Sequence, residues 1–240
     1  MIDLPAEGGL DGPVLVHTSD LHISTLDDVT SILSPVLGIT SAVSAAALLL
    51  VGDVFDSNRV AEATVHAARE ALEALGRPVV ILPGNHDCLG PGSCYSRGGF
   101  PEAARITVLG APADDVVLAD SAVQIWGVAH NDRAGLHVMP TARQRVVRWQ
   151  VVVAHGHFTE RADERYSWPI RPADLVATEV DYVALGHWDH RAQVSDKPLA
   201  WYSGAPHHLG TVNVVRFSER CGVSVHPTET IPAMPANEYH

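Results

Sequence analysis

Five times along this chain, a short apolar run ends directly in a cluster of Asp, His or Asn residues. Runs of β-branched and aliphatic residues bounded by Gly, Pro or Asp are typical of buried strands. In open α/β sheets, ligands and catalytic groups gather at the carboxyl ends of the strands. We therefore expect the five clusters to converge on one place. Their members are Asp20 and His22; Asp53 and Asp56; Asn85, His86 and Asp87; His155 and His157; and His187, Asp189 and His190.

The order of strands and helices predicts the fold class. Helical spacing of apolar residues predicts a helix over Val60–Leu75, capped by Ser57 or Asn58. A second helix is expected over 26–37, where Pro35 disturbs the pattern. Their alternation with the apolar runs predicts a layered α/β fold, with a second sheet packed on the first. The predicted strands are 14–17, 47–51, 79–82, 116–118, 123–127, 151–154, 182–185, 199–202, 212–217 and 223–226.

Length and composition indicate one domain. A chain of 240 residues that is 46% hydrophobic can bury a full core. We expect a single domain over 1–240, with a core over about 14–227 and a C-terminal tail over 228–240. The three Cys do not indicate a disulfide framework and fit a reducing compartment. The acidic N-terminal segment is not typical of a signal peptide, and the longest apolar run, about 42–51, is too short to span a bilayer. We therefore expect a cytoplasmic protein.

The net charge of -12 bears on the binding partner. A surface this acidic is not built to neutralise many phosphates, so stable binding of duplex DNA is not expected. The charge is compatible with a single phosphate at a metal site, because bound cations dominate the field around them. We expect a small phosphoester as the partner and no membrane contact.

The residue types in the five clusters indicate the metal. Histidine, carboxylate and Asn oxygen together suit Mn²⁺, Fe²⁺ or Zn²⁺ better than Ca²⁺, which prefers oxygen alone. Seven or more candidate ligands exceed the needs of one ion, so two ions about 3.5–4 Å apart, sharing one carboxylate, are predicted. Taken singly, each cluster could be an ordinary turn or a capped strand end. Their joint occurrence after five strands favours the metal interpretation.

The motifs D-x-H, GD-x-x-D, GNHD, strand-H and GH-x-H resemble the calcineurin-like metallophosphoesterase superfamily. The resemblance runs from about Val14 to Tyr202. Within it, GDVFDSNR, GNHD, DYVALGH and YSGAP are most similar to the branch that contains the DNA-repair exonuclease subunits. The resemblance implies a four-layer α-β-β-α sandwich, in which two mixed β-sheets are flanked by helices and a di-metal site lies at the carboxyl ends of the strands.

The resemblance also implies a role for each ligand position. Two residues would hold the first metal ion, one would bridge both ions, and three would hold the second. In that order, these are Asp20 and His22; Asp53; and Asn85, His155 and His187. His86 would be the general acid beside the leaving group or a donor to the phosphate. Asp56 and Asp87 would orient histidines from outside the ligand set.

The last ligand position departs from the family motif. A gapless alignment of GHWDH places Asp189 where the family has His, whereas one inserted residue places His190 there. Both side chains can bind metal, and the simpler alignment favours Asp189. Adjacent residues of an extended chain seldom point at the same ion.

Three further residues are candidates for substrate contact. Arg59 follows GDVFD and could bind a phosphate in a bidentate manner, or it could be a solvated residue at a helix start. His157 is expected to line the pocket. Arg97, in the Gly-rich loop after GNHD, could contact substrate or serve solubility.

The function predicted is hydrolysis of a small phosphodiester or nucleotide-type substrate. A metal-activated hydroxide would attack phosphorus, and His86 would protonate the leaving oxygen. Two divalent ions are expected, with Mn²⁺ favoured and Fe or Zn as alternatives. The other functions that fit are an exonuclease-like activity on single-stranded nucleic acid, a phosphomonoesterase and a non-catalytic protein-binding scaffold.

Overall fold

The computed structural model describes residues 12–131, 136–161 and 166–230. The N-terminal segment that bears on the signal-peptide prediction and most of the predicted tail, from 231 onward, lie outside these residues. Within them, no helix is both long and apolar enough to cross a membrane.

Fourteen strands and six α-helices make up the described part of the chain. The strands are β1 Val14–Thr18, β2 Ala47–Val51, β3 Val79–Leu82, β4 Ile106–Val108, β5 Asp115–Leu118, β6 Val123–Gly127, β7 Trp149–His155, β8 His157–Phe158, β9 Pro169–Ile170, β10 Tyr182–Gly186, β11 Ala192–Asp196, β12 Leu199–Tyr202, β13 Thr211–Ser218 and β14 Gly222–Glu229. The helices are α1 Leu26–Asp28, α2 Ser34–Ala42, α3 Glu62–Ala74, α4 Cys94–Arg97, α5 Pro172–Val176 and α6 Pro206–Leu209. A π-helical turn covers Val29–Leu33, and 3₁₀ turns cover Phe100–Glu102 and Ala119–Ser121.

Two six-stranded mixed sheets form the centre of the molecule. The first has the order β14-β13-β1-β2-β3-β4, and the second has the order β11-β12-β10-β7-β6-β5. Strands β1 to β4 are parallel, as are β12, β10, β7 and β6, whereas the remaining pairings within the two sheets are antiparallel. The parallel strands therefore end together at one edge of each sheet.

Alternating side chains place each sheet between two apolar layers, as the period of a strand requires. Leu15 and Leu49 of the first sheet pack against Val151 and Ala184 of the second, forming the core between the sheets. On the outer face of the first sheet, a second cluster joins the strands to the helices. It includes Val16, Leu48 and Ile81 with Leu33, Val36, Ile39, Val65, Ala68 and Leu72.

The outer face of the second sheet carries a thinner cover. Val152 and Val183 contact Leu175 of α5 together with Met139 and Ile170 from irregular segments and β9. The four-layer α-β-β-α sandwich is thus confirmed, with its fourth layer built from one short helix and extended chain among the described residues.

All ten predicted strands are present. The predicted helix over Val60–Leu75 begins later, at Glu62. The N-cap position is Ala61, and neither Ser57 nor Asn58 caps the helix. Asn58 instead donates to the Cys88 carbonyl at 2.8 Å and accepts from the Cys94 N–H at 2.9 Å, so it ties two loops together.

The helix predicted over 26–37 continues to Ala42. Proline has no N–H to give to the preceding turn. A π-helical turn over Val29–Leu33 precedes Pro35 and includes a bond from the Ser34 N–H to the Val29 carbonyl. At the other end of the chain, β14 runs to Glu229, two residues beyond the predicted core.

Candidate metal centre

The parallel strands of both sheets end at the same place, and Asp53 lies at its centre. Two groups of potential metal ligands share this carboxylate: His22, Asp53 and His86, and Asp53, His155 and His187. Within each group, the ligand atoms lie no more than 4.8 Å from one another. The end of β7 and the loops after β1, β2, β3 and β10 contribute to these groups, so the expected convergence is present.

Asp53 contacts residues from both sheets. Its Oδ2 lies 3.1 Å from Nε2 of His155 and 4.0 Å from Nε2 of His22. Its Oδ1 accepts the backbone N–H of His86 at 2.9 Å. Asn85 Oδ1 lies 3.2 Å from the same Nε2 of His155. One carboxylate with ligands on both sides is the arrangement that a bridged pair of metal ions requires.

Four ligand candidates have left-handed or positive-φ backbone. The φ angles are 55° at Asp20, 49° at His22, 52° at Asp53 and 104° at His187. Such conformations cost non-glycine residues roughly 1–3 kcal/mol each and persist only where neighbouring structure imposes them. Here the loops hold each other, because the Asp20 N–H donates to the Gly52 carbonyl and the His22 N–H donates to the Asp53 carbonyl.

Glycines next to the ligands permit this close approach. Gly52 has a φ of 85°, and a Cβ there would lie 1.9 Å from Nδ1 of His155. A Cβ at Gly84 would lie 2.1 Å from Oδ1 of Asp53. The glycines of GDVFD and PGNHD are therefore required by the space that the ligand side chains occupy.

His155 is oriented by the strand beside it. Its Nδ1 lies 3.0 Å from the Val51 carbonyl, which can only accept, so Nδ1 carries the proton and Nε2 faces Asp53. Burial lowers the pKa of His155, but the charge and hydrogen bond of Asp53 and the charge of Asp20 together raise it to about 9. Burial favours a neutral Asp53, yet the charge of His155 holds the pKa of this carboxyl below its ordinary value.

Asp20 adds negative charge in a buried position. Its carboxylate is 2% exposed and accepts the His187 N–H at 2.9 Å. Burial raises its pKa, and the nearby charge of Asp53 acts in the same direction. Two buried carboxylates with histidine nitrogen and Asn oxygen around them form a mixed N/O donor set that fits a divalent cation.

Asp56 and Asp87 play different parts. Asp56 Oδ1 lies 3.7 Å from Nδ1 of His22, and its backbone carbonyl accepts from Nδ1 of His86 at 2.8 Å. Asp87 is buried and accepts hydrogen bonds from the N–H groups of Val54, Phe55 and Gly84 and from the Tyr95 hydroxyl. Burial raises the pKa of Asp87 to about 6. Asp87 therefore braces two loops, which corrects the prediction that it orients a histidine.

The two arginines differ in their surroundings. The guanidinium of Arg97 donates to the carbonyls of Asn58 at 2.7 Å, Val60 at 3.3 Å and Gly92 at 3.1 Å. These bonds hold loops together and argue against the predicted contact with substrate. Arg59 lies exposed on the loop that leads into α3, where its predicted substrate contact stays a prediction.

Neither candidate for the last ligand lies in the two ligand groups of the described chain. Asp189 and His190 are both exposed. The His190 ring is stacked on Trp188, with centroids 4.8 Å apart. The Asp189 carbonyl accepts the Ala205 N–H at 3.1 Å, which places its loop against the segment that leads into α6.

His157 does lie at the site, among aromatic residues that the sequence patterns did not single out. Its ring centroid is 6.3 Å from that of His187 and 5.3 Å from that of Trp188. The ring centroid of Trp168 lies 6.1 Å from that of His187.

Buried His130 supports His155, because its Nε2 donates to the His155 carbonyl at 2.7 Å. The signal available in sequence was the spacing of aromatic residues around HGHF, YSW and GHWDH.

The sequence model of the family described as calcineurin-like phosphoesterase matches residues 13–225. No curated protein matches the chain in sequence. The crystal structure of TT1561 of Thermus thermophilus is 11% identical, with a TM-score of 0.60 over 90% of this chain and 99% of that one. A second solved structure is 12% identical, with a TM-score of 0.58 over 91% and 99%. At such identities, the two structures show a shared fold alone.

Proposed function

The chain belongs to the calcineurin-like phosphoesterase family, and we propose that it hydrolyses a small phosphodiester of the nucleotide type with two divalent metal ions. Membership of the family makes it a metal-dependent phosphoesterase. The number of ions, their identity, the substrate and the residue roles are the proposal.

The observation that carries the proposal is the shared carboxylate of Asp53. Two groups of ligand atoms, each within 4.8 Å, meet at this residue from opposite sheets. We assign Asp20 and His22 to the first ion and Asp53 to both. The second ion is assigned to Asn85, His155 and His187. When bound, the two cations supply the Lewis acidity that activates water and neutralises charge on the phosphoryl group.

His86 is assigned the proton transfer to the leaving oxygen. Its ring is exposed, and its Nδ1 is held by the Asp56 carbonyl at 2.8 Å. Because that carbonyl only accepts, the proton that His86 can release is the one on Nε2. The His86 N–H bond to Asp53 Oδ1 fixes the ring beside the bridging carboxylate. Histidine is the side chain most often used for such proton transfer.

Charge supports a small substrate. With a net charge of -12, the chain would repel a long polyanion outside the metal centre. The mixed N/O ligand set favours Mn²⁺, with Fe or Zn as alternatives. The sparse and odd set of cysteines, at 88, 94 and 221, supports a reducing compartment and hence a cytoplasmic location.

The test is metal analysis of the purified chain together with hydrolysis of bis-p-nitrophenyl phosphate. We expect two ions per chain after loading with Mn²⁺ and release of p-nitrophenol that stops when the metal is chelated. The monoester p-nitrophenyl phosphate is expected to react more slowly than the diester, and single-stranded DNA more slowly still.

Three outcomes would contradict the proposal in different ways. A chain that binds no metal and stays inactive with Mn²⁺ would support a non-catalytic scaffold. A preference for the monoester would identify a phosphomonoesterase. Efficient degradation of single-stranded DNA would identify an exonuclease-like enzyme.

A further inference from the structure

Next to the candidate metal centre, five rings from the second sheet and its loops form one connected surface. We call it the aromatic wall, and its members are His157, Tyr166, Trp188, His190 and Tyr202. It starts beside the ligand candidate His187, whose ring centroid lies 6.3 Å from that of His157.

The wall consists of two stacks joined by a hydrogen bond. In the first stack, His157 and Tyr166 lie nearly parallel, with centroids 3.8 Å apart and an interplanar angle of 21°. In the second, Trp188 is stacked with Tyr202 at 4.1 Å and with His190 at 4.8 Å. The Trp188 indole N–H donates to Nδ1 of His157 at 3.1 Å and links the two stacks.

The inner end of the wall is fixed by the fold. Tyr202 is buried, its hydroxyl donates to the Gly156 carbonyl at 2.6 Å, and it accepts the Phe158 N–H at 2.8 Å. Trp188 packs against the apolar cluster on the outer face of the second sheet. The rings are therefore held in place before any ligand binds, which reduces the entropy lost on binding.

The outer end of the wall is open to solvent. Tyr166 is 41% exposed. His190 is exposed as well. Exposed flat rings beside a phosphate-binding centre provide faces on which a planar aromatic group can stack.

We propose that the aromatic wall binds the nucleobase of a mononucleotide-type phosphoester whose phosphate lies at the metal centre. This inference rests on the proposed function for the position of the phosphate. Stacking accepts any base, because every base has a π face. The net charge of -12 favours a single nucleotide over a polymer. His190 then serves as a ring of the wall and not as a metal ligand.

The first test measures binding and needs no catalysis. AMP and ribose 5-phosphate share the phosphate and the sugar and differ in the base. With the Mn²⁺-loaded protein, isothermal titration calorimetry is expected to give a dissociation constant about 10-fold lower for AMP, the order of effect known for one stacked base. Equal affinity for the two ligands, or binding of neither, would overturn the proposal.

Variants of Tyr166 and His190 locate the effect. Tyr166→Ala is expected to reduce the preference for AMP from about 10-fold to less than about threefold, whereas Tyr166→Phe keeps the ring and the preference. His190→Phe keeps a stacking ring but no metal-binding nitrogen, so it is expected to retain both the preference and the metal content. Loss of metal in His190→Phe would show that His190 is a ligand and would remove it from the wall. Equal weakening of both ligands in Tyr166→Ala would contradict base stacking.

Hydrolysis of bis-p-nitrophenyl phosphate separates this inference from the proposed function. A protein that prefers AMP but does not hydrolyse the diester would support the wall and contradict the catalytic proposal. A protein that hydrolyses the diester but binds AMP and ribose 5-phosphate equally would support the catalytic proposal and contradict base binding by the aromatic wall.

Discussion

The loops that follow the first sheet and those that follow the second reach the same site by different means. In the loops after β1, β2 and β3, carboxylates and backbone groups form hydrogen bonds with one another. The carboxylate of Asp87, for example, accepts hydrogen bonds from three backbone N–H groups and one hydroxyl. After β7 and β10, histidines emerge from strand ends and are followed by stacked rings, such as His157 on Tyr166 and Trp188 on Tyr202.

This difference suggests a division of labour within one site. Loops cross-linked by buried carboxylates hold ligand atoms rigidly, which is what a metal centre needs. Aromatic ring surfaces bind a substrate group with less strict geometry than metal coordination requires, so they can set substrate preference. Both halves would thus contribute metal ligands, and the aromatic wall of the second-sheet half would set the preference for substrate.

The largest expected effect comes from the carboxylate shared by both halves. Asp53→Ala removes the residue common to both ligand groups, so we expect less than one bound ion per chain and an activity loss of at least about 10³-fold. Metal content measured by atomic emission and diester hydrolysis check this. His187→Ala is the comparison variant, because it touches one group and is expected to keep one ion.

Two full equivalents of metal in Asp53→Ala would contradict the bridging role. If His187→Ala lost both ions, the two halves would not bind metal separately, and the comparison between them would fail for the metal centre.

His86 provides the next largest effect. Because His86 is the proposed proton donor, His86→Ala is expected to lower kcat by about 10²–10⁴-fold while two ions remain bound. A ligand atom of the same ring lies within 4.8 Å of ligand atoms of His22 and Asp53. If the variant loses one ion, His86 is a ligand, and the first-sheet half supplies more of the coordination than we assign to it.

Much of the first-sheet half could be predicted from the sequence. Motifs such as GDVFD and GNHD are local, because the glycines, the ligands and the turn lie within a few residues of each other. The strands were predictable for the same reason, since a buried parallel strand such as β2 is a continuous apolar run. Four strands were missed. β4 is an edge segment of three residues, β11 is a polar edge strand, and β8 and β9 have two residues each, so all four carry little periodic signal.

The second-sheet half was less predictable because it depends on contacts between distant residues. The stack of Trp188 on Tyr202 joins β12 to the loop after β10, and no pattern within either segment reveals it. The bonds of Arg97 to the Asn58 and Gly92 carbonyls could not be predicted from the sequence either. The sequence alone therefore does not distinguish a loop arginine that holds loops together from one that binds a substrate phosphate. The stack of His190 on Trp188 was hidden in the same way, and the choice between Asp189 and His190 stays a prediction.

Gly52 tests the contact between the halves, since it lies on the first sheet and touches His155 of the second. Gly52→Ala would place a Cβ 1.9 Å from Nδ1 of His155 at a φ of 85°. We expect the free energy of unfolding to fall by about 3 kcal/mol, from overpacking and backbone strain together, and the affinity for the second ion to fall as well. Denaturant unfolding and metal titration measure the two effects.

Gly76→Ala is the matched control. Gly76 also has a positive φ, of 68°, but a Cβ there meets nothing within 4 Å. Backbone strain alone should cost about 1 kcal/mol. Equal losses in the two variants would show that the close approach to His155 contributes nothing.

Two buried tyrosines allow the bracing of each half to be compared. Tyr95→Phe removes a hydroxyl that donates to the buried carboxylate of Asp87, and we expect a loss of about 1.5–3 kcal/mol, as for hydrogen bonds to charged groups. Tyr202→Phe removes bonds to the neutral backbone groups of Gly156 and Phe158 and should cost about 1–2 kcal/mol. Urea unfolding measures both. A larger loss in Tyr202→Phe would reverse the view that the first-sheet half is the more strongly braced.

A pH-dependent effect concerns His17, which joins the two sheets beneath the site. It is fully buried on β1, its Nε2 donates to the Leu185 carbonyl at 3.2 Å, and its Nδ1 accepts from the Tyr182 hydroxyl at 2.9 Å. Burial lowers the pKa of His17 from 6.5 to about 3. The folded state therefore keeps His17 neutral in a range where the unfolded chain takes up a proton.

The sign of the pH effect follows from this proton uptake. As the pH falls from 6.5 towards 3, the unfolded state gains a proton at His17 that the folded state does not bind, so stability falls by up to about 1.4 kcal/mol per pH unit from this residue. His17→Gln can keep both hydrogen bonds and cannot titrate, so its unfolding free energy should fall less steeply between about pH 6.5 and about pH 4. Parallel slopes for wild type and His17→Gln would mean that the contact between the two sheets does not depend on a neutral His17.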